Sequence, residues 1–160
     1  MQLRAYVTIL LVDEKKENVL LLKRAANKSF APNLITGVGG TVELEEGEAQ
    51  DMWKTVEREL EEEVGIKHSE VRDWYATLRF MREDEHGTHI ITNVVGTWEG
   101  EPPASDDGVL AWYPINTLPV DELVPSQKHG IPFSLFRTAD QGTALAVYKP
   151  SEFVVIENKF

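Results

Sequence analysis

Arg58-Glu59-Leu60-Glu61-Glu62-Glu63-Val64-Gly65-Ile66 is the stretch on which the reading of the fold turns. Within Asp51 to Val64, the residues Val56, Leu60 and Val64 recur every four positions. They form the single apolar stripe of a helix. Asp51 can accept backbone N–H bonds as its N-cap, and Gly65 stands where helices commonly end. On such a helix Glu59, Glu62 and Glu63 lie at i, i+3 and i+4, so their carboxylates share about one quadrant of the surface. Like charges placed so close repel and add nothing to the fold. A hard cation such as Mg²⁺, which takes carboxylate oxygens and bridges to phosphate, gives the cluster a purpose. Arg58 is placed to pair with Glu62 one turn on. Acidic helix faces are ordinarily just solvated, so the flanking sequence decides.

Outward from the helix, the flanks read as strands. Leu3 to Val12 is rich in β-branched and aromatic residues, Asp13 to Asn18 reads as a turn, and Val19 to Arg24 as the returning strand. Ala25 to Asn33 is a polar loop. In Gly37-Val38-Gly39-Gly40-Thr41-Val42-Glu43 the glycines interrupt any regular pattern. Beyond the helix, Val71 to Arg82 and His89 to Trp98 read as strands joined by the turn Glu83 to Thr88, and Leu110 to Ile115 as a short strand. Ser126 to Ala139 is a second helix with Pro132 near its start. Ala144 to Lys149 and Glu152 to Glu157 form a closing hairpin. No repeat, linker or low-complexity segment divides the chain, so residues 1–160 are read as one domain.

Gly39-Gly40 followed by the Arg58–Ile66 stretch resembles the Nudix box, G-x5-E-x7-R-E-U-x-E-E-x-G-U with U a bulky apolar residue. The second half matches at every specified position. The first half departs, with four more residues between Gly40 and Arg58 than the consensus holds. Counted forward from Gly40, Glu46 takes the box glutamate position; counted backward from Arg58, Gln50 does. The insertion therefore falls in the loop Thr41 to Gln50, and it stays open whether Glu46, Glu48 or neither stands in for the box glutamate. The resemblance implies an α/β/α sandwich with a mixed, curved sheet between helices. It also implies a hydrolase of pyrophosphate bonds dependent on Mg²⁺, with Mn²⁺ as a substitute. Glu59, Glu62 and Glu63 would be metal ligands together with the carbonyl of Gly39 or Gly40, and Arg58 would orient them. Asp107, five residues before Trp112 and beside Asp106, would be a further acid. Water would attack phosphorus, with the general base open among Glu59, Glu62, Glu63 and Asp107.

Thr36 to Glu43, Leu110 to Ile115 and Val124-Pro125-Ser126-Gln127 resemble the MutT-related branch, which hydrolyses nucleoside triphosphates, oxidised purines among them. The resemblance implies release of monophosphate and pyrophosphate. Thr36 stands where vertebrate-type oxidised-guanine hydrolases carry Asn, and Val124 to Gln127 where they carry Trp-Pro-Asp-Asp, so the base-reading carboxylates are missing. Ser126 and Gln127 can instead hydrogen-bond a base edge, Phe30 can lie near the base, and Lys23 and Arg24 can meet phosphates. The alternatives are a nucleotide sugar, ADP-ribose or a dinucleoside polyphosphate as substrate, or a nucleotide-binding module without turnover. His86 and His89 flank an apparent hairpin turn and lack the partners for zinc. Trp53, Trp74, Trp98 and Trp112 read as core.

The chain has 160 residues and a formal net charge of -11, which opposes binding to a nucleic-acid polymer but not to one nucleotide held through a divalent ion. Cysteine is absent, which removes disulfide and thiolate chemistry. No apolar run is long enough to span a bilayer, and Met1-Gln2-Leu3-Arg4 carries no signal-peptide pattern. These features point to a cytoplasmic location without membrane contact, as monomer or homodimer, with the strand Phe153 to Ile156 as an edge able to pair.

Overall fold

The computed structural model describes residues 2–43, 47, 48, 50–150 and 152–157. Glu46 lies outside the described residues. Strands β1 (Gln2–Val12) and β2 (Asn18–Arg24) form a hairpin that pairs only at its closed end, Leu11 with Leu20 and Val12 with Val19. Beyond that the two strands splay, and the glycine segment fills the gap. Strand β3 (Ile35–Thr36) pairs with β2, and β4 (Val38–Thr41) pairs with β1. The expectation that glycines keep this segment irregular is therefore corrected. They permit a strand that approaches β1 closely, since a Cβ on Gly39 would lie 2.0 Å from the carbonyl oxygen of Val7.

The remaining strands are β5 (Arg72–Asp84), β6 (Gly87–Thr97), β7 (Gly108–Pro114), β8 (Ala144–Lys149) and β9 (Glu152–Glu157). Among the described residues they complete a nine-stranded sheet in the order β3-β2-β1-β6-β5-β8-β9, with β4 on β1 and β7 on β2. β1 runs parallel to β6 over its whole length, and β5 runs parallel to β8. The other pairings are antiparallel, so the sheet is mixed, as the resemblance implied.

Helix α1 (Met52–Val64) packs on one face and α2 (Gln127–Leu135) on the other. The Asp51 side chain accepts from Trp53 N–H, and Gly65 closes α1 in the left-handed region at φ 67°, where glycine is free of the Cβ penalty. Val56, Leu60 and Val64 bury the predicted stripe against Val7, Ile9, Leu11 and Leu22, each burial contributing about 1.5–3 kcal/mol. The four tryptophans pack around this core. The opposite face carries Leu10, Val12, Leu21 and Val95 under Ile131 of α2. α2 is shorter than expected, ending at Leu135.

Candidate active site

The splay between β1 and β2 opens a cleft of about 490 Å³ that reaches the α1 side of the sheet at Gly39, Gly40 and Glu63 and the α2 side at Thr8, Ser126 and Gln127. On the α1 side the acids surround one cation. Arg58 Nη1 donates to Glu59 Oε1 at 2.8 Å and to Glu62 Oε2 at 3.1 Å. Its Nε donates to Glu48 Oε2 at 2.8 Å and its Nη2 to the carbonyl of Thr41 at 2.8 Å. Glu48 is 3% exposed and also accepts from Thr55 Oγ1 and from Glu43 N–H. Arg58 first of all holds the Glu48 carboxyl down to about 2. Glu48 is the buried loop glutamate that pairs with Arg58, with extra residues on both sides of it relative to the box, and Glu43 stands further off at 3.5 Å from Arg58 Nη1.

Glu59 and Glu63 face the glycine strand. A Cβ on Gly40 would sit 2.2 Å from Glu59 Oε1, so only glycine leaves this carboxylate its place. Glu63 Oε2 accepts from Gly39 N–H at 3.4 Å. Burial, reinforced by the charge of Glu59, pushes the Glu63 carboxyl up to about 7; burial also raises Glu59, against the pull of Arg58. Among the described residues no three His, Asp or Glu side chains converge at metal-ligand spacing. The three helix acids thus do not form a ready-made cage: Glu59 and Glu62 turn to Arg58, because like charges take the available counter-ion, and Glu63 turns to Gly39. The donor set still fits a hard divalent cation. Glu63 is a half-buried carboxylate held partly protonated by desolvation and by the charge of Glu59, Glu59 is held beside it by a glycine strand, and Glu62 is exposed on the same helix face. Asp107 pairs with Lys28 and lies close enough to Glu63 to raise it further.

The other predicted residues divide by strand alternation. Lys23 is corrected as a cleft residue: it points to the opposite face and meets Glu122 at 3.9 Å, whereas its neighbour Arg24 lines the cleft. Arg24 donates to the Phe30 carbonyl at 2.9 Å and lies 5.6 Å over the Phe30 ring, a cation–π contact. Phe30 is 59% exposed at the mouth. Thr36 and Ser126 line the wall. Gln127 lines it too, but both its N–H bonds are already taken, by Asn93 and Thr8, so it has no donor left for a base edge. At the far end the sequence reading missed a cluster. His89 is buried within β6, not in the turn, with its ring stacked on Tyr6 at 5.8 Å. Asp84 accepts from His86 N–H and Arg82 and pairs with His89 Nε2, contacts that hold its carboxyl down to about 2. The alternation of His89, Ile91 and Asn93 was the available signal for that inward face.

The NUDIX domain family matches residues 2–133. No curated protein matches the chain significantly. Solved structures with the same fold include a mutator MutT protein from Bacillus halodurans, at TM-score 0.68 and 20% identity over 96% of this chain and 95% of that one. A MutT NUDIX hydrolase from Burkholderia pseudomallei follows at TM-score 0.64 and 20% identity, over 84% and 97%. A NUDIX hydrolase from Nitrosomonas europaea stands at TM-score 0.65 and 14% identity, over 90% and 76%.

Proposed function

The chain belongs to the Nudix family, and from that premise we propose that it is a Mg²⁺-dependent hydrolase that cleaves a pyrophosphate bond of a nucleoside triphosphate, releasing monophosphate and pyrophosphate. The observation that carries the reading is the placement of Glu59, Glu62 and Glu63 on one face of α1 against the glycine strand, with Glu63, half-buried at the edge of the cleft, pushed up to about 7. A carboxyl that titrates there exchanges a proton for a cation under ordinary conditions. Glu59, Glu62 and Glu63 would hold the ion, with the carbonyl of Gly40 and with Asp107 from the facing loop. Bound Mg²⁺ would neutralise phosphate oxygens and lower the pKa of attacking water.

The chain's own groups do the rest. Arg58, fixed by Glu48 and the Thr41 carbonyl, orients Glu59 and Glu62 without leaving the helix. Glycine at 39 lets the strand lie against β1 at the edge of the cleft, and glycine at 40 leaves the Glu59 carboxylate its place there. Arg24 supplies the cation at the mouth in place of Lys23, and Phe30 supplies an aromatic face beside it. Thr36 and Ser126 offer hydroxyls along the wall. The single domain of residues 1–160 is part of this reading.

The test is incubation with Mg²⁺ and a panel of ordinary and oxidised nucleoside triphosphates, nucleotide sugars, ADP-ribose and dinucleoside polyphosphates, with the products identified. Monophosphate plus pyrophosphate from triphosphates is the expected result. Two monophosphates from a nucleotide sugar or ADP-ribose with triphosphates untouched, or binding without products, would overturn it.

A further inference from the structure

On the α2 face a chain of neutral hydrogen bonds ends at the cleft, and its direction is set at its far end. Thr77 sits in the β5 bulge between Ala76 and Leu78, with Oγ1 3.1 Å from the backbone carbonyl of Asn93 and 2.8 Å from Ser134 Oγ. A carbonyl only accepts, so the one Thr77 hydrogen goes to it, and Ser134 must donate to Thr77. Ser134 then accepts from Asn93 Nδ2 at 3.2 Å. The amides of Asn93 and Gln127 exchange two bonds of 2.9 Å each, Asn93 Nδ2 to Gln127 Oε1 and Gln127 Nε2 to Asn93 Oδ1. The second Gln127 hydrogen goes to Thr8 Oγ1 at 3.1 Å. Gly130 makes room for this arrangement, since a Cβ there would lie 2.4 Å from Gln127 Oε1. A glycine inside a helix costs about 1 kcal/mol against alanine, so the space it leaves has a use.

Thr8 Oγ1 is thereby fixed as acceptor on its buried side and keeps its own hydrogen. Among the described residues no other group takes that hydrogen, and Thr8 lines the cleft. Next to Thr8 the wall is Tyr6, Ile91 and Val124, with Ser126 and Gln127 beside them and the polar cluster of Arg82, Asp84 and His89 further along, on the sheet face opposite the α1 carboxylates. The apolar and aromatic stretch of that wall suits the face of a planar heterocycle. We infer that Thr8 is a specificity-determining residue whose hydroxyl donates to a keto oxygen of the substrate's nucleobase, with Asn93 and Gln127 as positioning residues that fix its direction. The inference rests on the proposed hydrolysis of nucleoside triphosphates. With one lone pair taken by Gln127 and its hydrogen otherwise unused, the Thr8 hydroxyl is completed by a keto oxygen, whereas an amino group meets only its second lone pair and leaves that hydrogen without an acceptor.

Inosine triphosphate and adenosine triphosphate differ at this exocyclic position, keto in one and amino in the other, and kcat/KM for each is measured with Mg²⁺. The wild type is expected to prefer inosine triphosphate by roughly tenfold or more. T8V is expected to remove most of that ratio and T8S to keep it. Q127E places an accepting oxygen against Thr8, turns its hydrogen away from the cleft, and is expected to bring the ratio to one or below. An unchanged ratio in T8V, including an equal loss on both nucleotides as a phosphate contact would give, overturns the assignment of Thr8 alone. No hydrolysis of any triphosphate by the wild type overturns the proposed function and this inference with it.

Discussion

Both helices bury polar side chains against the sheet, but α1 buries ions and α2 buries amides and hydroxyls. Around α1, Arg58 is shared by Glu48, Glu59 and Glu62, with Glu63 left on Gly39. Around α2, Asn93, Gln127, Ser134, Thr77 and Thr8 satisfy one another without a charge. The ionic side answers to pH and to cations, because its groups change charge. The neutral side answers to neither and holds one hydrogen-bond direction over the whole physiological range. In the proposed function chemistry and recognition are separated by the thickness of a sheet, and a perturbation of one side should leave the signature of the other.

The largest break belongs to the ionic side. E63Q keeps the shape of the side chain and removes its charge, and turnover with Mg²⁺ should fall by about 10³-fold, with thermal stability held or raised. Full activity at low Mg²⁺ in both E62Q and E63Q would remove the carboxylates from the site. E48Q should instead act on the fold. Its carboxyl titrates at about 2 beside Arg58, so the folded state holds it charged more tightly than the unfolded chain does. That stability is present above pH 4.5 and is lost as the pH falls through about 2. Denaturant unfolding at neutral pH should show a loss of about 3 kcal/mol in E48Q, narrowing towards the wild type in acid. G40A, which forces the Glu59 carboxylate aside, should cost about 10²-fold in kcat with less effect on stability.

The neutral side sharpens the contrast. S134A strips a partner from both Thr77 and Asn93, and should cost about 2 kcal/mol with no dependence on pH between 5 and 8. The smallest effect is a slope. Glu63 titrates at about 7 in the metal-free protein, so between pH 4.5 and 7 the folded state keeps a proton that the unfolded chain has lost. Stability of the metal-free protein should therefore fall as pH rises through that window, by only a few degrees in Tm because solvent screens this partly exposed group where Glu48 is buried, and E63Q should flatten the slope.

Much of this was legible in the sequence, for local reasons. The limits of α1, its cap at Asp51 and its stop at Gly65 follow from residues adjacent in the chain, as does the closing hairpin of β8 and β9. What was not legible depends on residues distant in sequence. Glycines 37, 39 and 40 read as breakers because nothing nearby announces the gap between β1 and β2 that they fill. The bond from Gln127 to Thr8 joins residues 119 apart, so neither side chain declares its partner. Glu48 could not be separated from Glu46 by counting, because a loop's length does not reveal where it returns. Lys23 and Arg24 were a different case: adjacent strand residues face opposite ways, and it is Arg24 that faces the cleft while Lys23 meets Glu122.

The long parallel pairing of β1 with β6 sets Gln2 opposite Gly87 and Val12 opposite Thr97. During synthesis, the first strand must therefore wait until the chain has grown past Thr97 before its main partner exists. Until then Val7 to Val12, fully inside the finished molecule, is an apolar ribbon with an open hydrogen-bonding side, and joining it means closing a loop of distant residues. The nascent chain is most exposed to aggregation in that interval, and its cleft can be shaped only near the end of folding.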